Sequence, residues 1–396
     1  MSRAVAITGA GCLCAAGMSL DSSFDSMIRG ERKPQPPRSF YSDHTEAYPV
    51  FELYDSLPAT DVDGELLRTT LLAISATMEA IADAGFIGNE LAQLRVGVCI
   101  GTTVGSAMNN EEFYSEFRKG ADPDMAPIDR YLRSNPAAAI ARHYQLDGPC
   151  QTVVNACSSG TDAIGIGAAW IRSGYCDIVL AGGADELCRV TYNGFASLMI
   201  YDALPVKPFD VHRKGLNLGE GAGIMVLESD KLLAKRKKTP RGYVLGYGSA
   251  TDAYHLTAPH PDGRGLRRAI SEALQTAAVS PEQMAFVNAH GTGTPDNDKV
   301  ESLVIADLFP GVPFVSTKGY TGHTLGAAGA IEATLTLMCL ERQKLPENIG
   351  FKTADPQLLI QPVSRVTEID GTIALSESLA FGGNNSAVVI ALERLP

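Results

Sequence analysis

The sequence predicts an α/β fold in which apolar strands alternate with helices. Residues 176–186 form an apolar run typical of a strand buried on both faces, and an alanine- and glycine-rich helical stretch comes just before it. After residue 241 the same alternation begins again. Since parallel strands are joined by helical crossovers, this order favours mostly parallel sheets and makes a duplicated core plausible.

The first half is read in order from its N-terminal strand. Residues 3–12 predict a strand that runs into a glycine turn, residues 30–60 are proline-rich and predict an irregular connection, and residues 67–84 have helical periodicity that ends at Gly85. Further strands are predicted at 95–103, before Asn155, at 176–186 and at 221–228, with a helix after Cys157 and a polar surface excursion at 109–129.

The second half shows the same alternation of predicted strands and helices. Its predicted elements are strand YVLGYGSA, helix GLRRAISEALQTAAV, strand AFVNAH, helix PDNDKVESLVIADLF, strand PFVSTK and a long helix within GHTLGAAGAIEATLTLMCLE. Two final strands, TIALSESLAF and SAVVIALE, flank a turn rich in glycine and asparagine. The basic run Lys231–Arg241 predicts a solvated helix end, so we divide the chain into halves at 1–240 and 241–396.

Length and charge limit the function classes. At 396 residues the chain exceeds the usual size of one hydrophobic core, and 45% of its residues are hydrophobic. The formal net charge of −12 argues against a nucleic-acid surface, because phosphate binding needs a basic face. An acidic partner would need a local basic patch.

The sequence also predicts no signal peptide and no metal site. No run approaches the about 20 apolar residues of a spanning helix, and the N-terminus is a short strand followed by glycines, so we expect no membrane span and a cytoplasmic protein. The cysteines are scattered without metal-ligand spacing, which favours a reducing compartment and no metal site. They are Cys12, Cys14, Cys99, Cys150, Cys157, Cys176, Cys188 and Cys339.

Cys157 lies at a predicted strand-to-helix turn. A thiol in that place faces the free N–H groups and the positive end of the helix dipole, which favours the nucleophilic thiolate. The alternative is an inert buried cysteine, which is what most free cysteines are.

Three turns of the second half carry complementary groups. His290 ends a strand before Thr294 and Pro295, which suit a helix cap and a first helical position. Lys318 ends the next strand, and glycines surround His323 a few residues later. Phe381 precedes paired glycines, where its N–H is free to point into a cleft. A nucleophile, two imidazoles and a positive charge at strand ends suit carbonyl chemistry through a covalent intermediate.

A nucleotide-dependent oxidoreductase is the alternative from another class. Gly9 and Gly11 follow the first strand, but the third glycine of the dinucleotide fingerprint would fall on Cys14. The sequence therefore disfavours a bound nucleotide.

The segments VVNACSSG, VNAHGTGTP, STKGYTGHTLGAAGAIE and AFGGNN, in this order and spacing, resemble the elongating beta-ketoacyl-[acyl-carrier-protein] synthases of the thiolase superfamily. The resemblance spans nearly the whole chain. It implies a thiolase-like five-layered α-β-α-β-α core from two similar halves, and a dimer.

The resemblance also implies residue roles. Cys157 would accept the acyl chain, and His290 and His323 would support malonyl decarboxylation. Lys318 would orient that site with Glu332 as its ionic partner. The backbone N–H groups of Cys157 and Phe381 would form the oxyanion hole. Thr292 and Thr294 would hydrogen-bond the phosphopantetheine arm.

The reaction so implied is a decarboxylative Claisen condensation. An acyl chain moves from an acyl carrier protein to Cys157 and is extended by malonyl-carrier protein to a 3-oxoacyl product. No cofactor is bound by the enzyme itself, since the substrates arrive on the 4′-phosphopantetheine arm.

Two alternatives share this fold. One is a non-catalytic chain-length-factor-like partner, which normally lacks the cysteine, so Cys157 speaks against it. The other is a thiolase, which would be expected to have a second cysteine where His323 stands. Cys339 lies well inside a predicted helix and does not fill that role.

Departures from the family pattern point to a specialised enzyme. The usual Gly-Phe-Gly-Gly-Thr-Asn loop begins here with Ala380, which reduces the hinge freedom of a glycine. Lys207 and Lys214 replace a common arginine and aspartate. We therefore expect a polyketide or aryl polyene pathway and a heterodimer with a chain-length-factor-like homologue; fatty acid biosynthesis and a homodimer are the alternatives.

A basic rim is needed to dock an acidic carrier protein on this acidic chain. Ordinary solvated charges are the alternative explanation for each residue of that rim. The candidates are Arg68, Arg118, Lys119, Lys207, Arg213 and Lys214.

Overall fold

The computed structural model describes residues 4–44, 46–58 and 66–395. Its strands are β1 (Val5–Cys14), β2 (Val96–Gly101), β3 (Cys150–Val153), β4 (Ile178–Asp185), β5 (Gly221–Glu228), β6 (Gly242–Thr251), β7 (Phe286–Asn288), β8 (Phe314–Val315), β9 (Lys344–Leu345), β10 (Thr367–Glu368), β11 (Ile373–Ala380) and β12 (Asn384–Ala391).

The helices occupy most of the predicted positions. They are α1 (Leu20–Ile28), α2 (Arg68–Asp83), α3 (Glu111–Arg118), α4 (Ala126–Arg133), α5 (Pro136–His143), α6 (Ser159–Arg172), α7 (Arg189–Ser197), α8 (Asp230–Arg236), α9 (Arg264–Ala277), α10 (Pro295–Leu308), α11 (Lys318–Thr321) and α12 (Ala328–Arg342). The polar excursion carries α3 and α4, neither of which has a buried residue.

The main sheet is mixed, so the prediction of mostly parallel sheets is wrong. Its strand order is β3-β2-β4-β5-β1-β6-β12-β11-β7-β8. Pairs at the two ends of the sheet are parallel, whereas β5, β1, β6 and β12 pair antiparallel with their neighbours. The hairpin from β11 to β12 shows the reason, because a short turn can only join antiparallel strands.

The strand order confirms the duplicated core. Numbered within each half, β3-β2-β4-β5-β1 and β8-β7-β11-β12-β6 are the same sequence of strands. The two copies meet where β1 pairs with β6 through Val5, Ala6 and Ile7. The exact boundary at residue 240 stays a prediction.

The helices complete five layers. Helices α6 and α12 pack against each other between the two sets of strands, while α2 covers β1 and β5 and α9 covers β6 and β12 from outside. Glycine allows the outer helices to approach closely: a Cβ on Gly9 would overlap the Ala80 carbonyl oxygen, and one on Gly246 would overlap that of Ala273. Both halves therefore use a strand glycine to let the outer helix approach closely.

The basic run Lys231–Arg241 is only partly solvated. Its interpretation as a solvated helix end is therefore corrected. Arg241 lies 2.6 Å from Asp83 on α2 and 2.5 Å from Glu341 on α12, and thereby ties the halves together. Arg236 stacks over the Phe86 ring. Within the described ranges, no helix is both long and apolar enough to cross a membrane.

Candidate functional site

The turn that carries Cys157 is held by its own side chains. Ala156 has a φ of 49°, in the left-handed region that non-glycine residues rarely adopt. Ser159 Oγ donates to the Ala156 carbonyl at 2.6 Å and accepts from the Asn155 N–H at 2.8 Å. These bonds fix the strained residue directly before the cysteine.

Asp162 secures the same turn from inside the fold. It accepts from Asn155 Nδ2 at 2.6 Å and from Ser158 Oγ at 2.9 Å. From the second half it accepts the Tyr247 hydroxyl at 2.8 Å and also that of Ser386. The position of Cys157 therefore depends on both halves.

The Cys157 thiol does not have the lowered pKa that its sequence position favours. It is buried, with 4% of its surface exposed. Burial raises the pKa of the thiol to about 11, and the Lys318 charge and the Phe381 N–H oppose this only in part. Because α6 begins two residues later, at Ser159, its dipole does not outweigh desolvation. The prediction of a stabilised thiolate in the free enzyme is wrong.

His290 follows β7 and is oriented by Lys318. Lys318 Nζ lies 3.0 Å from His290 Nδ1. An ammonium group only donates, so Nδ1 accepts and the ring proton is on Nε2. Burial, together with Lys318 and His323, holds the pKa of His290 well below its usual value, so the ring is neutral.

His323 has the same tautomer through a different contact. Its Nδ1 accepts from the Leu325 N–H at 3.2 Å, which leaves the proton on Nε2. Burial and Lys318 hold its pKa well below the usual value. The two imidazole centroids lie 5.2 Å apart with the planes at 86°. The pair is thus two neutral N–H donors.

Lys318 and Glu332 form a buried ion pair behind the imidazoles. Only 1% and 2% of their side chains are exposed. Burial raises the pKa of Glu332 to about 7 against the opposing effect of Lys318. This pairing is the one that the resemblance implies.

Phe381 follows β11 and its backbone N–H meets the Cys157 sulfur. Its ring stacks on Phe195 with centroids 5.4 Å apart. Gly382 and Gly383 have φ values of 86° and 81°, whereas Ala380 lies outside the left-handed region and carries its Cβ without strain. The effect of Ala380 on gating stays a prediction.

One cleft, partly open to solvent, brings the predicted groups together. Cys157, His290, His323 and Phe381 line it. Thr292 and Thr294 line it as well, with their hydroxyl groups 2.9 Å apart. Thr294 has the position of a helix cap, but its side chain makes no capping hydrogen bond. Lys318 and Glu332 lie behind the wall.

Three of the predicted docking residues are already paired. Arg68 binds Glu220 at 2.6 Å, Arg213 binds Asp355 at 2.6 Å, and Lys207 lies 3.6 Å from Asp202. Their role in docking a carrier protein stays a prediction. Arg118, Lys119 and Lys214 are exposed.

Sequence reasoning missed two buried carboxyl groups near the site, Glu301 and Glu377. The signal for Glu377 was a lone acidic residue in the middle of an apolar predicted strand. Among the described residues, no group of three or more His, Cys, Asp or Glu side chains is arranged to hold a metal ion.

The repeated strand order and the shared cleft define a thiolase-like condensing enzyme. The chain matches the beta-ketoacyl synthase N-terminal domain over residues 2–232 and the C-terminal domain over residues 241–352. It belongs to the beta-ketoacyl synthase family and is an acyltransferase of the 3-oxoacyl-[acyl-carrier-protein] synthase type.

Relatives and solved structures agree. The chain is 32% identical over 410 residues to 3-oxoacyl-[acyl-carrier-protein] synthase 2 of Synechocystis, covering 97% of this chain and 96% of the relative. It is similar to the ishigamide ketosynthase/chain length factor, with a TM-score of 0.92, 32% identity and 99% of both chains covered. The ketosynthase of Xenorhabdus doucetiae, solved with its chain length factor, gives a TM-score of 0.87 at 30% identity over 98% of both chains.

Proposed function

We propose that Cys157 accepts the acyl chain and that His290 and His323 stabilise the enolate formed from malonyl-carrier protein. The observation that carries this proposal is the single cleft into which the thiol, both imidazoles and the Phe381 N–H open. The cysteine in that cleft argues against a non-catalytic chain-length-factor-like partner, which normally lacks it.

The first step is a thiol–thioester exchange. The Cys157 sulfur bonds to the acyl carbon, the carrier thiolate leaves, and the proton lost by Cys157 ends on the carrier thiol. The N–H groups of Cys157 and Phe381 hold the negative oxygen of the tetrahedral intermediate. A thiol with a pKa of about 11 makes this exchange faster as the pH rises.

The second step forms the carbon–carbon bond. Malonyl thioester loses carbon dioxide, and the electron pair of the broken bond becomes an enolate whose oxygen accepts from the two Nε2–H groups. The enolate carbon attacks the acyl-Cys157 carbonyl, and the sulfur leaves and takes a proton from solvent. The high pKa of Cys157 favours that protonation.

The substrates supply the only prosthetic group in this proposal. The 4′-phosphopantetheine arm of the carrier protein would enter the cleft past Thr292 and Thr294, whose hydroxyl groups face one another at its wall. The enzyme would work in the cytoplasm, as a homodimer or with a chain-length-factor-like homologue. Neighbours named with a chain length factor support the heterodimer, and we place the enzyme in a polyketide or aryl polyene pathway.

The test is to load the protein from acyl-carrier proteins of several chain types and to locate the adduct by peptide mass spectrometry. We expect one acyl group on Cys157 and none after Cys157→Ala, with Cys150→Ala, an exposed cysteine, as the matched control. An adduct on another residue would overturn the proposed role. Native mass measurement of co-expressed neighbours tests the partner, and a self-dimer indifferent to all of them would contradict the heterodimer.

A further inference from the structure

Asp162, in the first turn of α6, receives hydrogen bonds from both halves of the chain. Only 4% of its surface is exposed. Its Oδ2 accepts from Asn155 Nδ2 at 2.6 Å and from Ser158 Oγ at 2.9 Å, in the turn of the first half. Its Oδ1 accepts from the Tyr247 hydroxyl at 2.8 Å and from Ser386 Oγ, both in the second half. Each carboxylate oxygen therefore binds one half of the chain.

The four donors match what a carboxylate can accept. An ionised carboxyl group has about four acceptor sites and no donor. One amide and three hydroxyl groups point at Asp162, two at each oxygen. Because a buried charge is costly without such partners, the four contacts stabilise one another as a set. An asparagine in this place would turn an amide N–H₂ toward two of those donors.

The contact with Ser386 falls on the hairpin that carries Phe381. Ser386 on β12 pairs in register with Ser378 on β11, and Phe381 lies three residues after Ser378. Thr161, the residue before Asp162, hydrogen-bonds Ser378 at 2.9 Å. Consecutive residues of α6 thus hold the two strands of the hairpin at one pair of residues.

Helix α12 leaves the room that this contact needs. A Cβ on Gly329 would lie 2.0 Å from Thr161 Oγ1 and 2.7 Å from Ser378 Oγ. Both of these side chains are fully buried. The first turn of α6 and the hairpin therefore meet directly, and a shift of one moves the other.

The two N–H groups proposed for the oxyanion hole lie in the two segments that Asp162 joins. Cys157 lies in the turn that Oδ2 holds, and Phe381 lies in the hairpin that Oδ1 holds through Ser386. Both N–H groups have to lie about 2.7–3.1 Å from the same substrate oxygen, so their separation must be set before the negative charge develops.

We propose that Asp162 is a positioning residue that sets the distance between the Cys157 N–H and the Phe381 N–H. It does not line the cleft, and so it acts through the segments that it binds. The inference rests on the proposed function, in which these two N–H groups hold the negative oxygen during acyl transfer and condensation.

The imidazole pair is held by other contacts. His290 is oriented by Lys318, and His323 accepts from the Leu325 N–H. Neither contact shares a partner with Asp162. Loss of the Asp162 carboxylate should therefore slow acyl transfer to Cys157 and leave malonyl decarboxylation in place.

The experiment compares Asp162→Ala, Asp162→Asn and Ser386→Ala in the full chain. Asp162→Ala should lower the rate of acyl transfer by about 10²-fold, since displacing one donor by about 1 Å has this effect. Asp162→Asn should lose at least about tenfold and Ser386→Ala about threefold to tenfold. Malonyl decarboxylation should stay within about twofold of the wild type, because its donors lie in a separate network.

Two readouts separate positioning from a merely structural role. The KM for acyl-carrier protein should stay unchanged while kcat falls, because the oxyanion hole is filled only as the tetrahedral intermediate forms. Adding Ser386→Ala to Asp162→Ala should slow acyl transfer by no more than about twofold further, since the bond that Ser386 donates is already gone.

Two control variants mark the size of unrelated effects. Thr77→Ala removes a buried hydroxyl group that donates to the Ala73 carbonyl at 2.7 Å on α2, far from the cleft in the chain. It should lower thermal stability and leave the ratio of acyl transfer to decarboxylation unchanged. Asp370→Asn makes the same change as Asp162→Asn at an exposed position and should leave both rates unchanged.

Three outcomes would overturn the inference. They are acyl transfer at the wild-type rate in Asp162→Asn, equal loss of acyl transfer and decarboxylation, and a double variant whose loss is the product of the two single losses. Asp162→Asn and Ser386→Ala decide the matter if Asp162→Ala does not fold. Loading of wild-type Cys157 is measured first: its failure would count against the proposed function, whereas unaffected variants of a loading enzyme would count against Asp162 alone.

Discussion

The two halves share a strand order but carry different chemistry at equivalent turns. After β3 the first half presents Cys157, and after the equivalent β8 the second half presents Lys318. Thr102 follows β2, whereas His290 lies two residues beyond the equivalent β7. Duplication thus supplied two scaffolds, and the nucleophile and its hydrogen-bond donors were divided between them.

The halves are also locked together at the site. Asp185, at the end of β4, accepts from the Thr103 N–H and from the Gly326 N–H, both at 2.7 Å. Thr161 on α6 and Ser378 on β11 hydrogen-bond at 2.9 Å. Neither half can therefore be expected to hold a working site alone.

The largest effect is expected from Cys157→Ala, which removes the nucleophile of the first half. Condensation should fall by about 10⁴-fold or more, because the covalent intermediate cannot form. Decarboxylation of malonyl-carrier protein should survive, since its donors come from the second half. Carbon dioxide release and 3-oxoacyl product are measured in parallel, with Cys150→Ala as control. Retained condensation would remove Cys157 from the mechanism.

The converse change is His323→Ala in the second half. Loss of one Nε2–H donor should slow decarboxylation by about 10²–10³-fold. Acyl transfer to Cys157 should persist, which mass spectrometry of the loaded protein measures. His143→Ala, an exposed histidine, is the control. Equal loss of decarboxylation and of acyl transfer would contradict the assignment of the two steps to groups from different halves.

A pH series tests whether the Cys157 thiol of the first half has a raised pKa. Below a pKa of about 11 the thiolate fraction of Cys157 rises about tenfold per pH unit, so iodoacetamide alkylation of Cys157 should do the same between about pH 7 and 9. The rate is followed by peptide mass spectrometry. A rate that is already constant near pH 7 would mean that the thiolate is stabilised after all.

The smallest effect is expected at the hinge of the second half. Ala380→Gly should lower the free energy of unfolding by about 0.5–1 kcal/mol, since glycine weakens a strand end that alanine fits without strain. Loading of Cys157 should become faster as Phe381 gains a freer hinge. Ala374→Gly on the same strand should lose stability without a change in rate. Thermal denaturation and loading kinetics give both quantities.

Several elements could be predicted from residues close together in the chain. The strand before Asn155, the helix α6 and the strands β7 and β8 follow from local apolar periodicity and glycine placement. The prediction that Lys318 ends a strand is wrong, because β8 ends at Val315 and Lys318 begins α11. The direction of β5 and β12 could not be predicted, because a pairing partner is chosen by contacts far away in sequence.

The sequence by itself determined the α/β alternation, the ordered motifs and the identities of the residues at the strand ends. Only the tertiary structure decided the protonation of Cys157, the tautomers of both histidines, the pairing of Arg68 and Arg213, and the burial of Glu301 and Glu377. The physical reason is that burial and charge–charge interaction depend on distances between groups, and those distances exist only once remote segments pack together.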